Sequence, residues 1–156
     1  MSKKGQLMFI IIIGLIMGSV FVFGSLYWND EIDRSECIQS YPIYESYKLS
    51  YNRTTVKEII MYFTDDELMV IDGVSVNDEL ISEIEKINST SKLIITHHPN
   101  SNTILELIVD GKALLDFDTT MSKIVKERNG FIFFGCIMYL FVGVSVIKLI
   151  KMRKKK

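Results

Sequence analysis

The architecture of this chain is decided by residues 7–28, which read LMFIIIIGLIMGSVFVFGSLYW and contain no charged side chain. An α-helix rises about 1.5 Å per residue, so this stretch reaches about 33 Å, enough to cross the hydrocarbon core of a bilayer. Tyr27 and Trp28 stand at its end, where aromatic residues commonly mark the membrane surface. We therefore predict that residues 7–28 form a transmembrane helix.

A second uncharged run lies near the other end of the chain, where residues 130–147 read GFIFFGCIMYLFVGVSVI. It reaches residue 150 if the aliphatic part of Lys148 lies along the apolar surface and its ammonium group stays in the interface. A chain of 156 residues has room for one modest domain, which is too small to enclose two such helices. We predict a second transmembrane helix at residues 130–150, with Lys148 and Lys151 as interface anchors.

Charge is divided between the ends and the middle of the chain. The ends carry eight Lys and Arg residues and no acidic residue, whereas residues 29–129 carry 10 basic and all 19 acidic residues, a net charge of −9. Because basic residues accumulate on the cytoplasmic side of membranes, both termini are predicted to be cytoplasmic. The predicted organisation is a cytoplasmic N-terminus at residues 1–6, a span at 7–28, an extracytoplasmic domain at 29–129, a span at 130–150 and a basic cytoplasmic tail at 151–156.

This organisation predicts a multi-pass protein of the cell membrane, or of the endoplasmic reticulum membrane in a eukaryotic host, with the lipid bilayer around its spans. One alternative stays open at the N-terminus. Lys3 and Lys4, the apolar run and Gly24 also fit a secretory signal peptide that is cleaved after residue 24.

The middle segment begins with a tether and continues with strands. Residues 29–42 are polar and irregular, after which Tyr47, Leu49 and Tyr51 alternate with polar residues as in a half-buried strand. The apolar run IIMYF at 59–63 and the run LMVI that follows it predict two further strands of a hairpin.

The turn of this hairpin is assigned to Asp65-Asp66, because Asp tolerates the left-handed conformations of tight turns. Thr55 and Glu58 offer the alternative of a capping box, which would start a helix instead of a strand. The β-rich composition of the run favours the strand.

A helix is predicted after Asp72-Gly73, with Asn77 as its N-cap. Its apolar stripe consists of Leu80, Ile81, Ile84 and Ile87. Two strands follow, KLIITHH and TILELIV, and Asp110-Gly111 then predicts a tight hairpin to a further strand, KALLDF.

A last helix, capped by Asp118 or Thr119, is expected to run on into the second span. Three strands, one helix and then two or three strands is the order of an OB fold. The predicted fold is therefore two transmembrane α-helices that flank a small α+β, β-rich extracytoplasmic domain, an OB-like, partly open barrel.

Small residues in the spans are candidates for helix packing. Gly14 and Gly18 form a GxxxG motif, which pairs helices either between chains or against the second span, at Gly135 or Gly143. Apart from Lys148, which is assigned to the interface, neither span holds a charged residue, which argues against an ion path or a proton relay.

The two histidines, His97 and His98, are the residues in this chain whose side chains most commonly bind metals or catalyse reactions. Adjacent residues of a strand point to opposite faces, so one metal ion does not easily bind both. No third histidine and no HExxH spacing completes a zinc site, and the Pro-Asn-Ser-Asn sequence that follows has turn chemistry. We interpret the segment as the end of a strand and a turn.

No other motif indicates catalysis. The chain has no GxSxG, Walker or dinucleotide-binding loop, and its carboxylates are spread over turns and edges. We therefore predict no catalytic residue, no cofactor and no metal, and we expect that the protein is not an enzyme. No nucleic acid is expected among its partners.

The layout of span, external domain with HPNSN at 98–102, second span and basic tail resembles a widespread family of small bacterial two-span membrane proteins. The resemblance implies an extracytoplasmic OB-like β-domain with a strand that runs into a Pro-x-Asn turn. No activity is assigned to that family.

Three functional hypotheses follow. The first is a non-enzymatic interaction or accessory module of the cell envelope, whose partner is another membrane or envelope protein. The second is a small subunit of a membrane transport or export complex, and the third is an external hydrolase. The hypotheses differ in which changes impair function: those on the domain surface, those in the spans, or those of the histidines.

Overall fold

A computed structural model describes residues 2–28, 31–64 and 66–154 of the protein. The chain forms two compact units. The helix unit comprises Met1–Asp30 and Val125–Lys156, and the β unit comprises Glu31–Ile124.

Two long helices define the helix unit. Helix α1 spans Lys3–Trp28, and helix α3 spans Phe117–Lys154, beginning in the β unit. Both are long and apolar enough to cross a membrane. The expectation that the last helix continues into the second apolar run is confirmed, since α3 is unbroken.

The start of α3 differs from the prediction of Asp118 or Thr119 as its cap. Asp116 caps the helix instead: its side chain accepts a hydrogen bond from the Thr119 N–H at 2.9 Å, and its carbonyl accepts one from the Thr120 N–H. The sequence DFDTT offers several capping side chains in a row, and the pattern alone does not rank them.

Within its described residues, the β unit contains seven strands, a short α-helix and the first turns of α3. Strands β1 to β4 span Ile38–Ser40, Tyr44–Asn52, Thr55–Phe63 and Leu68–Asp72. After helix α2 at Asp78–Ile84, strands β5 to β7 span Leu93–His97, Ile104–Val109 and Lys112–Leu115. The three strands predicted before the helix correspond to β2, β3 and β4, and three strands follow the helix, at the upper end of the predicted two or three. The prediction of a tether at residues 29–42 is wrong where β1 lies, so the helix is preceded by four strands and not three.

The strands form two antiparallel sheets. One has the order β2-β3-β4 and the other the order β1-β5-β6-β7. Between Val70 of β4 and Thr103, just before β6, there is a single parallel bridge. Beside it, the Val70 N–H donates to the Asn102 carbonyl at 2.7 Å.

The predicted hairpins are present. Asp110 and Gly111 have φ angles of 50° and 84°, as a two-residue turn between antiparallel strands requires. Asp66 also has a positive φ of 56° in the turn from β3 to β4, whereas Asp65 lies outside the described residues. The capping-box alternative is wrong, because Thr55 and Glu58 both belong to β3.

Helix α2 is capped as predicted, with the Asn77 side chain accepting a hydrogen bond from the Leu80 N–H at 2.7 Å. The helix ends at Ile84, earlier than its apolar stripe suggested, yet Ile87 is still buried. The apolar stripe of α2 packs into one core together with side chains from both sheets. The most deeply buried core residues are Ile59, Met61, Phe63, Met69, Ile71, Ile84, Ile95, Ile104 and Leu107.

Candidate interaction surface

Strands β3 and β4 carry apolar side chains on both of their faces. Alternate residues of β3, at positions 59, 61 and 63, are buried in the core, as are Met69 and Ile71 of β4. Because successive side chains of a strand point to opposite faces, the residues between them face away from the core. The run IIMYF therefore supplies two apolar surfaces, of which the core uses one.

The second surface is assembled by the strand register. Ile60 lies opposite Val70, and Tyr62 lies opposite Leu68. These four side chains, which we call the outer sheet face, are half-buried. Exposed polar residues of β2, such as Lys48 opposite Ile60, flank them. A contiguous apolar surface with a polar rim is typical of an interaction site.

One end of the outer sheet face is acidic. Glu58 and Asp72 are direct cross-strand partners, and they lie two residues beyond Ile60 and Val70 on the same face. We call these two residues the acidic pair. Lys57 approaches Glu58 at 3.8 Å, and one oxygen of Asp72 accepts a hydrogen bond from the Val74 N–H at 3.0 Å.

Other exposed apolar side chains of the β unit do not share a sheet face. Ile38, Tyr41 and Ile43 are exposed, but they follow one another along a three-residue strand and the irregular chain after it. On the other sheet, the half-buried Ile94 of β5 also lies opposite Ile108 of β6 outside the core, but the next row of that face holds Thr96 and the buried Glu106. Among the described residues, the outer sheet face is therefore the larger set of apolar side chains in register.

The β unit also contains a buried charge that the sequence patterns did not indicate. Glu106 lies in β6 and is 6% exposed. Arg34 Nη2 donates to both of its carboxylate oxygens at 2.6 and 2.7 Å, and the Thr96 hydroxyl donates to one of them at 2.8 Å. A buried carboxylate needs such partners, since an unpaired one is costly.

Arg34 also reaches the beginning of α3. Its guanidinium lies 6.0 Å from the centroid of the Phe117 ring, a cation–π distance. Hydrogen bonds from Thr119 to Asp116, together with the nearby charge of Arg34, lower the pKa of the Asp116 carboxyl. Arg34 thus links the segment after α1, strand β6 and the start of α3. The signal for this cluster was a lone Glu inside the apolar run ILELIV.

The structure places the two histidines at a strand end and in a turn, as interpreted from the sequence. His97 is the last residue of β5, and His98 accepts a hydrogen bond from the Asn100 N–H at its Nδ1, 3.1 Å away. The His98 carbonyl accepts one from the Ser101 N–H. Within residues 2–28, 31–64 and 66–154, no group of three or more His, Cys, Asp or Glu side chains could hold a metal ion.

A shallow groove of about 260 Å³ lies between α2, β7 and the first turns of α3. Glu83 at its edge accepts hydrogen bonds from Lys86 and Lys112 at 2.6 and 2.7 Å, and these bonds lower its pKa to about 2. A carboxylate that two ammonium groups hold ionised is suited to a structural ion pair and is a poor general base.

In the helix unit, three of the four glycines predicted for packing lie between α1 and α3. A Cβ atom at Gly14 would lie 2.6 Å from Val142 Cγ2, one at Gly18 would lie 3.1 Å from the Tyr139 ring, and one at Gly135 would lie 2.5 Å from Val22 Cγ2. These glycines therefore allow a close approach of the two helices. A Cβ atom at Gly143 would have no neighbouring atom within 4 Å in the described structure.

A hydrogen bond joins the same two helices. The hydroxyl groups of Ser19 and Tyr139 lie 2.9 Å apart, so each has a polar partner on the other helix. Of the predicted interface anchors, Lys148 and Lys151 are exposed, whereas the side chains of Tyr27 and Trp28 lie outside the described part of the structure.

Comparison of the chain with protein-family profiles, with curated protein sequences and with solved structures finds no match.

Proposed function

We propose that the protein is a non-enzymatic accessory module of the cell envelope, held in the membrane by α1 and α3, whose β unit docks another membrane or envelope protein. The observation that carries this proposal is the outer sheet face. Four apolar side chains on two adjacent strands are held in register outside the core, where they serve no purpose in closing it.

The exposure of the two long helices supports a membrane location. Only 11% of the most apolar part of α1 and 17% of that of α3 is buried within the protein. A core helix of a water-soluble domain would be covered on most sides, whereas a lipid-facing helix is exposed in this way. The basic ends of the chain support cytoplasmic termini, and the net charge of −9 between the spans supports an extracytoplasmic β unit.

The strand pairings support an OB-like, partly open barrel. Strand β1 pairs with β5, β5 with β6, and the start of β6 meets β4 at the parallel bridge. From β4 the order of neighbouring strands continues through β3 to β2. Strand β2 follows β1 in the chain after three residues, so the order returns to the strand where it began. The helix stands between β4 and β5, as between the third and fourth strands of an OB fold, and β7 is additional.

The fold analogy agrees with the docking surface. OB folds commonly bind their ligands on the face of their second and third strands, and β3 and β4 occupy those places here. An OB-like architecture favours the outer sheet face as the binding surface but does not identify the partner. The same layout supports the proposed kinship with small bacterial two-span membrane proteins.

Photo-crosslinking of the full-length protein in the membranes of its own host tests the proposal. A photoreactive phenylalanine analogue replaces Tyr62 in the outer sheet face, and in a matched control it replaces Tyr51, an exposed tyrosine of β2. We expect Tyr62 to give a crosslink to a second protein and Tyr51 to give none. Equal crosslinking at both positions, or none at Tyr62, would contradict the proposal.

Topology is tested separately with an impermeant thiol reagent. Cys37 in the β unit is expected to react in intact cells. Labelling of Cys37 only after permeabilisation would contradict an extracytoplasmic β unit.

The runner-up function is a small subunit of a membrane transport or export complex. It is favoured by the exposed faces of the helices, where Leu140 and Phe141 are available to other spans as well as to lipid. In that case Gly143→Leu, on a free helix surface, would impair assembly, whereas changes of the outer sheet face would not.

A further inference from the structure

Resting on the proposed function, we infer that the docked partner presents a Lys or Arg side chain next to an apolar segment. The apolar segment covers the outer sheet face, and the cation is held by the acidic pair, Glu58 and Asp72.

The acidic pair places two carboxylates directly opposite each other on adjacent strands. Residues directly opposite on antiparallel strands have Cβ atoms about 4.5–5.5 Å apart, and like charges in this arrangement destabilise the sheet. Glu58 and Asp72 are such a pair, and each lies next to the apolar residues of its strand on the same face. A cation between them would remove the repulsion, and it would lie beside an apolar contact.

The basic side chains of the chain itself compensate little of the negative charge of the acidic pair. Lys57 is 64% exposed, approaches Glu58 only at 3.8 Å and neighbours it in the strand, so it points to the other face. Lys48 lies opposite Ile60, one row away from the acidic pair. The Val74 N–H engages only one oxygen of Asp72. The pair therefore keeps acceptor capacity for a Lys or, bidentately, an Arg side chain.

Electrostatic complementarity favours a basic partner protein over two other occupants of this surface, an anionic membrane and a second copy of the chain. An anionic membrane surface attracts basic segments, and the region between the spans carries a net charge of −9. A second copy of the chain would bring the same net charge and its own acidic pair. A partner with a basic residue beside an apolar segment satisfies both parts of the surface, because charge complementarity sets partner choice.

The test measures the Tyr62 photo-crosslink in full-length chains that also carry Glu58→Lys or Asp72→Lys. We expect each reversal to lower the yield of the crosslinked partner at least about tenfold. The matched control is Glu79→Lys, an exposed carboxylate of α2, which should leave the yield unchanged. Circular dichroism of the purified full-length variants in detergent checks that the fold is retained, and Glu58→Gln and Asp72→Asn remove the charge with less perturbation.

The reciprocal exchange completes the test. Mass spectrometry locates the crosslinked segment of the partner, and reversal of its basic residue to Glu should restore the crosslink to the Glu58→Lys chain. A Tyr62 crosslink to a protein that is insensitive to Glu58→Lys and Asp72→Lys would overturn this inference and leave the proposed function intact. A Tyr62 crosslink only to lipid, only to a second copy of the chain, or to nothing would overturn both.

Discussion

The two faces of strand β3 have the same kind of residue and different surroundings. Ile59 is completely buried in the core, whereas its neighbour Ile60 is half-buried on the outer sheet face. A strand that only has to close a small domain needs apolar residues on one face and polar residues on the other. The apolar character of the second face is therefore an addition to what folding requires, and we interpret it as a binding surface.

The largest effect is expected when the same charge is placed on each face of β3. Ile59→Asp buries an unpaired carboxylate in the core, and we expect a loss of several kcal/mol, comparable with the whole stability of a small domain. Ile60→Asp places it where water reaches it, so the fold should persist while the Tyr62 crosslink is lost. Proteolysis of the full-length variants in detergent measures the first effect, and equal protease sensitivity of the two variants would contradict the division of the faces.

The buried ion pair is expected to give the next largest effect. Arg34→Met leaves Glu106 buried without the Nη2 group that donates to both of its oxygens, and we expect a loss of about 2–3 kcal/mol, less than for a fully buried pair because Arg34 is 61% exposed. Adding Glu106→Leu removes the orphaned charge and should recover most of the stability. Chemical unfolding of wild type, both single variants and the double variant gives the coupling between the two residues, and additive losses would contradict the pairing.

The helix unit offers a comparison between a packed and an open glycine. Gly14→Leu brings side-chain atoms against Val142, and overpacking of this kind typically costs about 1–3 kcal/mol. Gly143→Leu meets open space and should have almost no effect. Unfolding in mixed micelles compares the two variants, and Val142→Ala should partly rescue Gly14→Leu. A larger effect at Gly143 would indicate that another span packs there.

A smaller effect is expected from the exposed ion pairs of Glu83. Its pKa is about 2 in the folded protein against an ordinary value of 4.5, so the folded state favours the ionised form. The resulting stabilisation is fully present above pH 4.5 and is lost as the pH falls towards 2. Melting temperatures between pH 2 and pH 6 should fall more steeply for wild type than for Glu83→Gln. Parallel curves would show that the pairs with Lys86 and Lys112 do not form in solution.

The smallest effect is expected at the histidines. His97→Ala and His98→Ala should leave the fold and the Tyr62 crosslink nearly unchanged, apart from a modest loss of packing and turn contacts. Thermal melts and a zinc titration of the full-length protein measure this. Stoichiometric zinc binding that either substitution abolishes would support the external hydrolase instead.

Elements with local signals could be predicted from the sequence. Asn77 caps its helix through a side chain three residues away, and Asp110-Gly111 adopts its turn for reasons within two residues. The cluster of Arg34 and Glu106 could not be predicted, because it joins residues 72 positions apart and Arg34 lies in a segment without periodicity. Strand β1 was missed for the same reason, since only pairing with β5 makes it a strand.

The sequence indicated only part of the outer sheet face. The run IIMYF shows that β3 is apolar on both faces, but the pattern does not say which face the core uses or which residues of β4 lie beside it. That information comes from the register, which places Ile60 opposite Val70 and Tyr62 opposite Leu68. The glycines differ in the same way: the sequence offered Gly135 and Gly143 equally, and only the packing of the helices separates them.

We propose that one face of β3 closes the core and that the other meets a partner. A crosslinking scan along this strand distinguishes the two faces. A photoreactive residue is placed in turn at each position from 59 to 63 of the full-length protein in its native membrane. Because the side chains of a strand alternate between faces, we predict crosslinks to the partner from positions 60 and 62 and none from 59, 61 and 63. Crosslinks without this alternation, or from the buried positions alone, would contradict the account.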